Sequence, residues 1–213
     1  MRICEIFHSI QGEGVDAGLP TVFVRTVGCN LRCSWCDTKY AFDGGSEWEL
    51  DRIIRRVEAF RCNRVCLTGG EPLLQPDSKE LVARLLSSGR EVSVETNGSL
   101  PVGALLSLRG APALRVSMDV KCPSSRMHRR MRLENLGELR ARDQIKFVVR
   151  DRRDYLHARR VLRQHRTEAA VVFQPVWSSR PSRLVGWVLS DGLDARVMPQ
   201  LHKIIWGGGA RGR

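Results

Sequence analysis

The chain contains, at residues 21–38, the stretch Thr21-Val-Phe-Val-Arg-Thr-Val-Gly-Cys-Asn-Leu-Arg-Cys-Ser-Trp-Cys-Asp-Thr38. Residues 21–26 are rich in β-branched side chains and predict a strand. The loop after it carries Cys29, Cys33 and Cys36, whose x3 and x2 spacings let the thiols converge if the loop curls around one point. Iron–sulfur clusters take thiolate ligands, normally four. Three thiolates therefore predict a [4Fe–4S] cluster with one iron open to a small molecule, as a catalytic zinc keeps one position open.

Two other interpretations of these cysteines stay open. A zinc site would need a fourth ligand, and the nearest histidine in the sequence is His8. Otherwise the cysteines are small core residues, which is how we interpret the remaining four, Cys4, Cys62, Cys66 and Cys122. Seven cysteines without a recognisable export signal argue against a disulfide framework.

A second ligand-binding loop is predicted at Leu67-Thr-Gly-Gly-Glu-Pro72, directly after the predicted strand Arg64–Thr68. Paired glycines let a backbone approach a ligand closely, and Pro72 is suited to begin a helical turn. In parallel α/β sheets, loops at the carboxyl ends of strands bind ligands. The motif by itself also fits a tight turn, but its combination with the cysteine loop favours a binding site.

Short β-rich runs alternate with amphipathic stretches, which predicts a parallel α/β sheet. The predicted strands are Arg2–Phe7, Thr21–Thr26, Arg64–Thr68, Glu91–Glu95, Leu114–Met118, Ile145–Val149, Ala170–Phe173 and Ala195–Met198. The predicted helices are Glu47–Phe60, Ser78–Ser88, Val102–Leu108, Arg153–Gln164 and Ser182–Leu189, with Ser46 and Glu49 as a capping box for the first. Eight complete βα units take about 250 residues, so 213 residues predict a partial, slimmed parallel β/α barrel of about six core strands with reduced helices. We expect a single domain over residues 1–213, with a flexible tail at 207–213.

The net charge of +12 is unevenly distributed along the chain. Residues 1–122 carry 15 Lys or Arg against 15 Asp or Glu, whereas residues 123–213 carry 20 against 8. A set of solvated, arginine-rich helix faces is the simplest explanation, and docking of an acidic protein or of nucleic acid are the alternatives. Few aromatic residues lie among the arginines, which disfavours nucleic acid. No apolar run is long enough to span a membrane, and we expect a cytoplasmic protein.

The CxxxCxxC loop together with Gly69-Gly-Glu-Pro72 resembles the radical S-adenosylmethionine (SAM) superfamily. Three further segments narrow the resemblance: Ser9-Ile-Gln-Gly-Glu-Gly14 followed by Thr21-Val-Phe-Val-Arg25, Met118-Asp-Val-Lys-Cys-Pro-Ser-Ser125, and Arg196-Val-Met-Pro-Gln-Leu-His-Lys-Ile-Ile-Trp-Gly207. In this order, from the first strand to Trp206, they look like the 7-carboxy-7-deazaguanine synthase family of deazapurine (queuosine) biosynthesis.

The resemblance implies a barrel of the radical SAM type and a lyase reaction on 6-carboxy-5,6,7,8-tetrahydropterin with loss of ammonia. In the family, a reduced [4Fe–4S] cluster gives one electron to SAM, and the resulting 5′-deoxyadenosyl radical takes a hydrogen from C6 of the pterin. The family also needs Mg²⁺. The resemblance further implies a homodimer and a low-potential electron donor, and an acidic flavodoxin would suit the basic half of the chain.

The resemblance also implies which residues form the site. Cys29, Cys33 and Cys36 bind the cluster, and Thr38 binds Mg²⁺. SAM contacts are implied at Trp35, Cys36, Asp37, Gly69, Gly70, Glu71, Asp119, Val120, Lys121 and Gln174. Substrate contacts are implied at Ile10, Gln11, Gly12, Glu13, Arg25, Thr68, Glu95 and His202. The guanidinium of Arg25 offers a planar fork for a carboxylate, with a structural ion pair as its alternative role, and Asp119-Val-Lys121 stands where the family often has Ser-Pro-Lys.

Two other functions remain as alternatives. An activating enzyme for a glycyl-radical partner protein would share the cysteine and glycine loops, but it would not be expected to carry Ser9–Gly14 or Arg196–Gly207. A zinc-containing nucleic-acid-binding module would give no reason for Gly69–Pro72.

Overall fold

The structure is a computed structural model that describes residues 1–212, and Arg213, the last residue of the predicted tail, lies outside the described residues. Within this range the strands are β1 (Arg2–Ile10), β2 (Pro20–Thr26), β3 (Ser46–Glu47), β4 (Arg64–Gly69), β5 (Glu91–Thr96), β6 (Leu114–Asp119), β7 (Gln144–Val149), β8 (Ala170–Pro175) and β9 (Arg196–Val197). The α-helices are α1 (Leu50–Glu58), α2 (Ser78–Ser87), α3 (Gly103–Leu106), α4 (Arg152–Gln164), α5 (Pro181–Ser190) and α6 (Leu201–Trp206). None of the helices in residues 1–212 combines the length and the apolarity needed to cross a membrane.

All of these strands belong to one sheet, in the order β3-β1-β2-β4-β5-β6-β7-β8-β9. The pairing is parallel from β2 through β4 to β9, while β1 is antiparallel to both β2 and β3. Strands β2 and β4 to β8 have six or seven residues each, and β9 has two. The predicted α/β fold with about six parallel core strands is therefore confirmed, and β1 and β3 extend it at one edge.

The longer helices pack on one face of the sheet and bury its apolar side chains. Ile53 of α1 and Leu81 of α2 belong to one apolar core with residues of β2, β4 and β5. Tyr155 of α4 and Leu184 of α5 belong to a second core with residues of β6, β7 and β8. The two cores lie side by side under the same sheet, which leaves its other face for polar residues.

Strand β7 shows how the inner face of the sheet becomes polar. Ile145, Phe147 and Val149 are buried in the second core. Because successive side chains of a strand point to opposite faces, Gln144 and Lys146 point inward. Both are buried, with exposures of 5% and 6%, so the inner face needs hydrogen-bonding and charged partners close by.

Helix α6 bridges the two ends of the sheet. It follows β9, and its backbone N–H at Leu201 donates to the carbonyl of Gly12 (2.8 Å), just after β1. A Cβ on Gly12 would lie 2.0 Å from Nδ1 of His202, so the approach of the two segments requires glycine here. The sequence patterns did not predict α6, because six residues are too few to show a helical period.

Two predictions near α1 are wrong. The helix begins at Leu50 rather than at Glu47, and Glu49 is its N-cap residue. Ser46 does not form a capping box, because it lies in β3 and pairs with Ile3 of β1. The helix begins only after the chain has left the edge of the sheet.

Asp143, fully buried just before β7, anchors the start of that strand. Its carboxylate accepts hydrogen bonds from the backbone N–H of Val116 in β6 (2.8 Å) and from Nε of Arg140 (2.9 Å). We predict that Asp143→Ala lowers the free energy of unfolding by about 3 kcal/mol, because the amide and the guanidinium lose their acceptor. Urea unfolding of the reduced protein, followed by circular dichroism, measures the change.

The control variant is Asp194→Ala, which removes an exposed carboxylate. Its free energy of unfolding is expected to stay within about 0.5 kcal/mol of that of the unchanged protein. Equal destabilisation by the two substitutions would contradict the anchoring role of Asp143.

Candidate active site

The cysteine loop begins at the carboxyl end of β2 and brings its three thiols near one another. Cys29, Cys33 and Cys36 are free cysteines of intermediate burial. The pKa of Cys33 is raised mainly by burial, and the neighbouring thiols of Cys36 and Cys29 add to this effect. Burial also raises the pKa of Cys36. A metal centre that binds these thiols must therefore displace protons from them.

The glycine loop lies directly against the cysteine loop. The backbone N–H of Glu71 donates to the carbonyl oxygen of Gly28 (2.8 Å). A Cβ on Gly70 would lie 2.1 Å from the same oxygen, so the contact requires glycine at this position. The two motifs are distant in the sequence but form one continuous surface in the structure.

Glu71 and Asn97 tie these two loops to the end of β5. The buried carboxylate of Glu71 accepts hydrogen bonds from the hydroxyl of Thr96 (2.8 Å) and the backbone N–H of Asn97 (2.6 Å). The side-chain amide of Asn97 donates to Oδ1 of Asn30 (2.9 Å) and to the sulfur of Cys29 (3.7 Å). The loops after β2, β4 and β5 are thus held together by side-chain hydrogen bonds.

A cavity of about 440 Å³ extends from these loops across the inner face of the sheet. The predicted site residues that line it are Ile10, Gln11, Gly12, Glu13, Arg25, Cys33, Trp35, Cys36, Asp37, Thr38, Thr68, Gly69, Gly70, Glu95, Asp119, Lys121, Gln174 and His202. Cys29, Glu71 and Val120 were also predicted but do not line it. Glu71 and Val120 are 0% and 1% exposed, and Val120 belongs to the second apolar core. The side chains of these two residues therefore point away from the cavity, and their assignment as SAM contacts stays a prediction.

The loop after β1 forms another wall of the cavity. Because β1 is antiparallel to β2, its carboxyl end lies beside the start of β2. Nε2 of Gln11 donates to Oε1 of Glu95 (3.1 Å), and the hydroxyl of Thr68 donates to Oε2 of Glu95 (2.9 Å). Three residues predicted to contact the substrate therefore form one hydrogen-bonded cluster.

A buried network of four charged groups crosses the cavity. Lys146 forms ion pairs with Glu13 and with Asp119 (3.2 Å), and Lys121 pairs with the other oxygen of Asp119 (2.6 Å). Burial alone would raise the pKa of Glu13 and Asp119, but their lysine partners outweigh it and lower the pKa of both. Burial alone would lower the pKa of Lys146, but Asp119, Glu13 and Glu95 raise it well above its usual value. All four groups are charged at neutral pH, and they join the predicted substrate residue Glu13 to the predicted SAM residues.

Helix α6 and Gln200, the residue before it, also contribute polar side chains to the cavity. Lys203 forms an ion pair with Asp37, and Nε2 of Gln200 donates to Oε1 of Glu13 (2.6 Å). Burial alone would raise the pKa of Asp37, but the ion pair with Lys203 lowers it to about 2. The hydroxyl of Thr38, the predicted Mg²⁺ ligand, donates to Oδ1 of Asp37 (3.0 Å). Gln200 and the helix thus connect the loop after β1 to the segment that follows Cys36.

The guanidinium of Arg25 lies at the wall of the cavity. Its Nε donates to Oε1 of Glu5 (2.7 Å), and the group sits over the rings of Phe7 and Tyr40, with 5.7 and 5.9 Å to their centroids. The ion pair considered as an alternative role for Arg25 is therefore present. It uses one N–H of the five that a guanidinium carries, and within residues 1–212 the two terminal nitrogens make no hydrogen bond. They remain available to a ligand in the cavity.

The donor groups of the loop fit a [4Fe–4S] cluster better than a single metal ion. In a cluster each thiolate binds a different iron, so the sulfurs stay apart. Across the described residues 1–212, no three His, Cys, Asp or Glu side chains are arranged to hold one metal ion. For Mg²⁺, the oxygens of Thr38 and Asp37 are local donors, and such an ion completes its shell with substrate and water.

Lys146, Gln200 and Lys203 line the cavity but were not among the site residues predicted from the sequence. The sequence could have indicated Lys146, because this lysine lies inside the apolar run Ile145–Val149. A buried lysine in such a run needs a charged partner. Gln200 and Lys203 belong to the segment Arg196–Gly207 that carried the resemblance. Their contacts with Glu13 and Asp37 depend on tertiary structure and leave no local pattern.

The glycine-rich tail borders the cavity as well. Residues 207–212 contribute to its lining, and the guanidinium of Arg211 lies 4.1 Å from the centroid of the Tyr40 ring. The flexibility of the tail stays a prediction, and its last residue lies outside the described range.

We predict that Gly70→Ala prevents the protein from retaining its cluster. The added methyl group would meet the carbonyl oxygen of Gly28 and push the cysteine loop away, and overpacking of this kind costs about 1–3 kcal/mol. Iron and sulfide are measured after anaerobic reconstitution and removal of unbound iron.

Gly137→Ala is the control, because a Cβ there would meet nothing within 4 Å. This variant should retain as much iron as the unchanged protein. If Gly70→Ala also retained it, the close contact between the two loops would not be needed for cluster binding.

The sequence signature of the Radical SAM superfamily matches residues 23–142 of this chain. A 7-carboxy-7-deazaguanine synthase from Thermoplasma acidophilum is 42% identical over 207 residues, covering 97% of this chain and 98% of that protein. The synthase from Methanospirillum hungatei is 41% identical, covering 96% of this chain and 85% of that protein. The synthase from Koribacter versatilis is also 41% identical and covers 97% of both chains.

Two solved structures share the fold. The crystal structure of QueE from Escherichia coli matches with a TM-score of 0.76 and 22% identity, over 94% of each chain. Streptococcus suis SuiB, bound to its precursor peptide SuiA, matches with a TM-score of 0.60 and 9% identity, over 83% of this chain and 47% of that one. At these identities the likeness concerns the fold alone. The superfamily signature and the relatives that match along nearly the whole chain place this protein in the 7-carboxy-7-deazaguanine synthase family of radical SAM enzymes.

Proposed function

We propose that this chain converts 6-carboxy-5,6,7,8-tetrahydropterin to 7-carboxy-7-deazaguanine with release of ammonia. The observation that carries the proposal is one cavity that joins Cys33 and Cys36 to Gln11, Glu13 and Arg25. When bound, the reduced [4Fe–4S] cluster and SAM supply the 5′-deoxyadenosyl radical that starts the ring contraction. The chain itself binds and orients the two ligands and excludes water.

The polar edge of the pterin is bound by the loop after β1. Glu13 is ionised and accepts hydrogen bonds from the amino and ring N–H groups of the substrate. Arg25 binds the 6-carboxylate through its two terminal nitrogens, which form charge-assisted hydrogen bonds. Glu95 is oriented by Gln11 and Thr68, so the chain offers these groups in one arrangement and loses little entropy on binding.

SAM is bound beside the cysteine loop. Gly70 lines the cavity next to the cysteine loop, and its backbone receives the amino group of SAM. Lys121 binds the SAM carboxylate and Asp119 a ribose hydroxyl. Since Lys146 pairs with both Asp119 and Glu13, the two ligand sites share one charged network and hold a defined relation to each other.

The remaining proposals concern the surroundings of the site. Thr38 binds Mg²⁺ together with substrate and water. The protein works as a single-domain homodimer in the cytoplasm, and a low-potential donor such as a flavodoxin reduces its cluster. The exposed side chains of Leu189 and Ile204, at 74% and 58% exposure, are apolar surface that a dimer would cover.

An anaerobic assay with the reconstituted protein, carboxytetrahydropterin, SAM and dithionite tests the function. We expect 7-carboxy-7-deazaguanine and an equimolar amount of ammonia, measured by mass spectrometry and by an ammonia assay. Cys33→Ala, which lacks a predicted cluster ligand, should give neither product nor SAM cleavage. A protein that holds iron and cleaves SAM but leaves the pterin unchanged would overturn the proposed substrate, and full turnover by Cys33→Ala would reject Cys33 as a ligand.

We predict that Arg25→Ala weakens binding of the carboxylated pterin by roughly tenfold or more, because hydrogen bonds to a charged group contribute about 1.5–3 kcal/mol. The affinity for SAM should change little. Equilibrium binding of each ligand to the reconstituted protein measures both effects.

Arg64→Ala is the control, because it removes a partly exposed arginine that pairs with Glu91 at the amino end of β4. For a tetrahydropterin without the 6-carboxylate, Arg25→Ala and the unchanged protein should bind the ligand with the same affinity. An equal loss of affinity for SAM and for the carboxylated pterin would contradict the assigned role.

A further inference from the structure

A strongly basic surface lies outside the cavity, on the loops after β6 and β7 and on the first turn of α4. We define the basic patch as Arg126, Arg129, Arg150 and Arg153, which line a surface depression of about 510 Å³. All four arginines are exposed. Within residues 1–212, none of their guanidinium nitrogens comes within 4.0 Å of a carboxylate oxygen. The patch therefore presents four positive charges that the described part of the chain does not neutralise by direct contact.

One buried carboxylate holds together the chain segments that carry the patch. Asp154, fully buried at the start of α4, accepts hydrogen bonds from the backbone N–H of Ser124 (2.8 Å) and of Arg150 (3.0 Å). These bonds join the loop after β6, which carries Arg126 and Arg129, to Arg150 and to the start of α4, which carries Arg153. The other nearby carboxylate is Asp151, which is exposed and accepts from the hydroxyl of Ser124 (3.3 Å). Four arginines against two carboxylates leave the patch with net positive charge.

Two hydrogen bonds connect the patch to the cysteine loop. Ser34, which follows Cys33 directly, donates its backbone N–H to the carbonyl of Ser125 (3.2 Å) and its hydroxyl to the carbonyl of Ser124 (2.7 Å). Arg126 is the next residue after Ser125 and has a φ of +64°. A protein seated on the patch would therefore contact the segment that carries a predicted cluster ligand.

The patch and the cavity are separate surfaces. Cys33 lines the cavity, whereas none of the four patch arginines does. A protein bound at the patch would approach the cysteine loop without covering the space that the pterin and SAM need. This arrangement suits a partner that delivers an electron and does not exchange a small molecule with the site.

We propose that the basic patch is the docking surface for the acidic one-electron donor protein that reduces the cluster. The inference rests on the proposed function, because a radical SAM enzyme needs such a donor. In the step itself, the donor loses one electron and the oxidised cluster gains it. Complementary charge speeds the encounter and fixes the orientation of the two proteins, and docking next to Ser34 brings the redox group of the donor close to Cys33.

The test compares two triple variants that lose the same charge. Arg129→Gln, Arg150→Gln and Arg153→Gln together remove three charges of the patch. Arg160→Gln, Arg163→Gln and Arg166→Gln remove three exposed charges at the far end of α4 and just beyond it. For each reconstituted protein, the rate of cluster reduction by reduced flavodoxin and by dithionite is followed by absorbance, and the Kd for oxidised flavodoxin is measured by titration.

We expect flavodoxin to reduce the patch triple variant roughly tenfold more slowly than the control triple variant at low salt, and to bind it more weakly. Reduction by dithionite should be the same in both. Added salt should slow reduction of the control and of the unchanged protein but have little effect on the patch variant. Equal slowing of both variants, or no slowing of either, would overturn the proposal.

Further measurements separate the other outcomes. If the patch triple variant loads less cluster, the single variants Arg129→Gln and Arg153→Gln are compared with Arg163→Gln in the same way. Binding of tRNA that is lost only in the patch variant, with flavodoxin binding unchanged, would make the patch a nucleic-acid surface instead. Turnover of the pterin with dithionite tests the proposed function independently, since a chemical reductant does not need the patch.

Discussion

The backbone contact between Gly70 and the carbonyl oxygen of Gly28 is the constraint on which the rest of the site depends. It brings the cysteine loop and the glycine loop together with no side chain between them. Glu71 and Asn97 then bind the end of β5 to the same point. Because loops at the carboxyl ends of adjacent parallel strands lie at one edge of a sheet, the order β2-β4-β5 places all of these residues side by side.

The ion pairs on the inner face of the sheet contribute little net stability. The free-energy cost of removing two ions from water is about as large as the stabilisation from their attraction. A buried ion pair therefore rarely adds net stability. Here Lys146 pairs with both Glu13 and Asp119, and Lys121 pairs with Asp119 as well. Each charge is held in place before a ligand arrives, and such preorganised groups need no rearrangement when a polar substrate binds. The apolar cores on the other face of the sheet supply the stability that the inner face does not.

The excess positive charge of residues 123–213 is explained in part by the position of the basic patch. Arg126 lies on the loop that contacts the cysteine loop through Ser124 and Ser125, and Arg150 lies on the loop after β7; both line a surface separate from the cavity. Other arginines, such as Arg160 and Arg163, lie exposed along α4 and match the simpler interpretation of solvated helix faces. Some of the excess positive charge is therefore concentrated in the basic patch, and the rest is spread along α4. Composition alone does not distinguish the two.

Local sequence patterns were enough to predict the parallel α/β sheet, the cysteine loop and the glycine loop, because each of these depends on residue types at short spacing. The side chains that complete the site were decided only by the tertiary structure. Lys146 meets Glu13 because β1 is antiparallel to β2 and carries its loop to the inner face of β7, and Lys203 meets Asp37 because α6 bridges the two ends of the sheet. The physical reason is that a pairing between distant segments depends on strand order and direction, which the packing of the whole chain determines and no local spacing encodes.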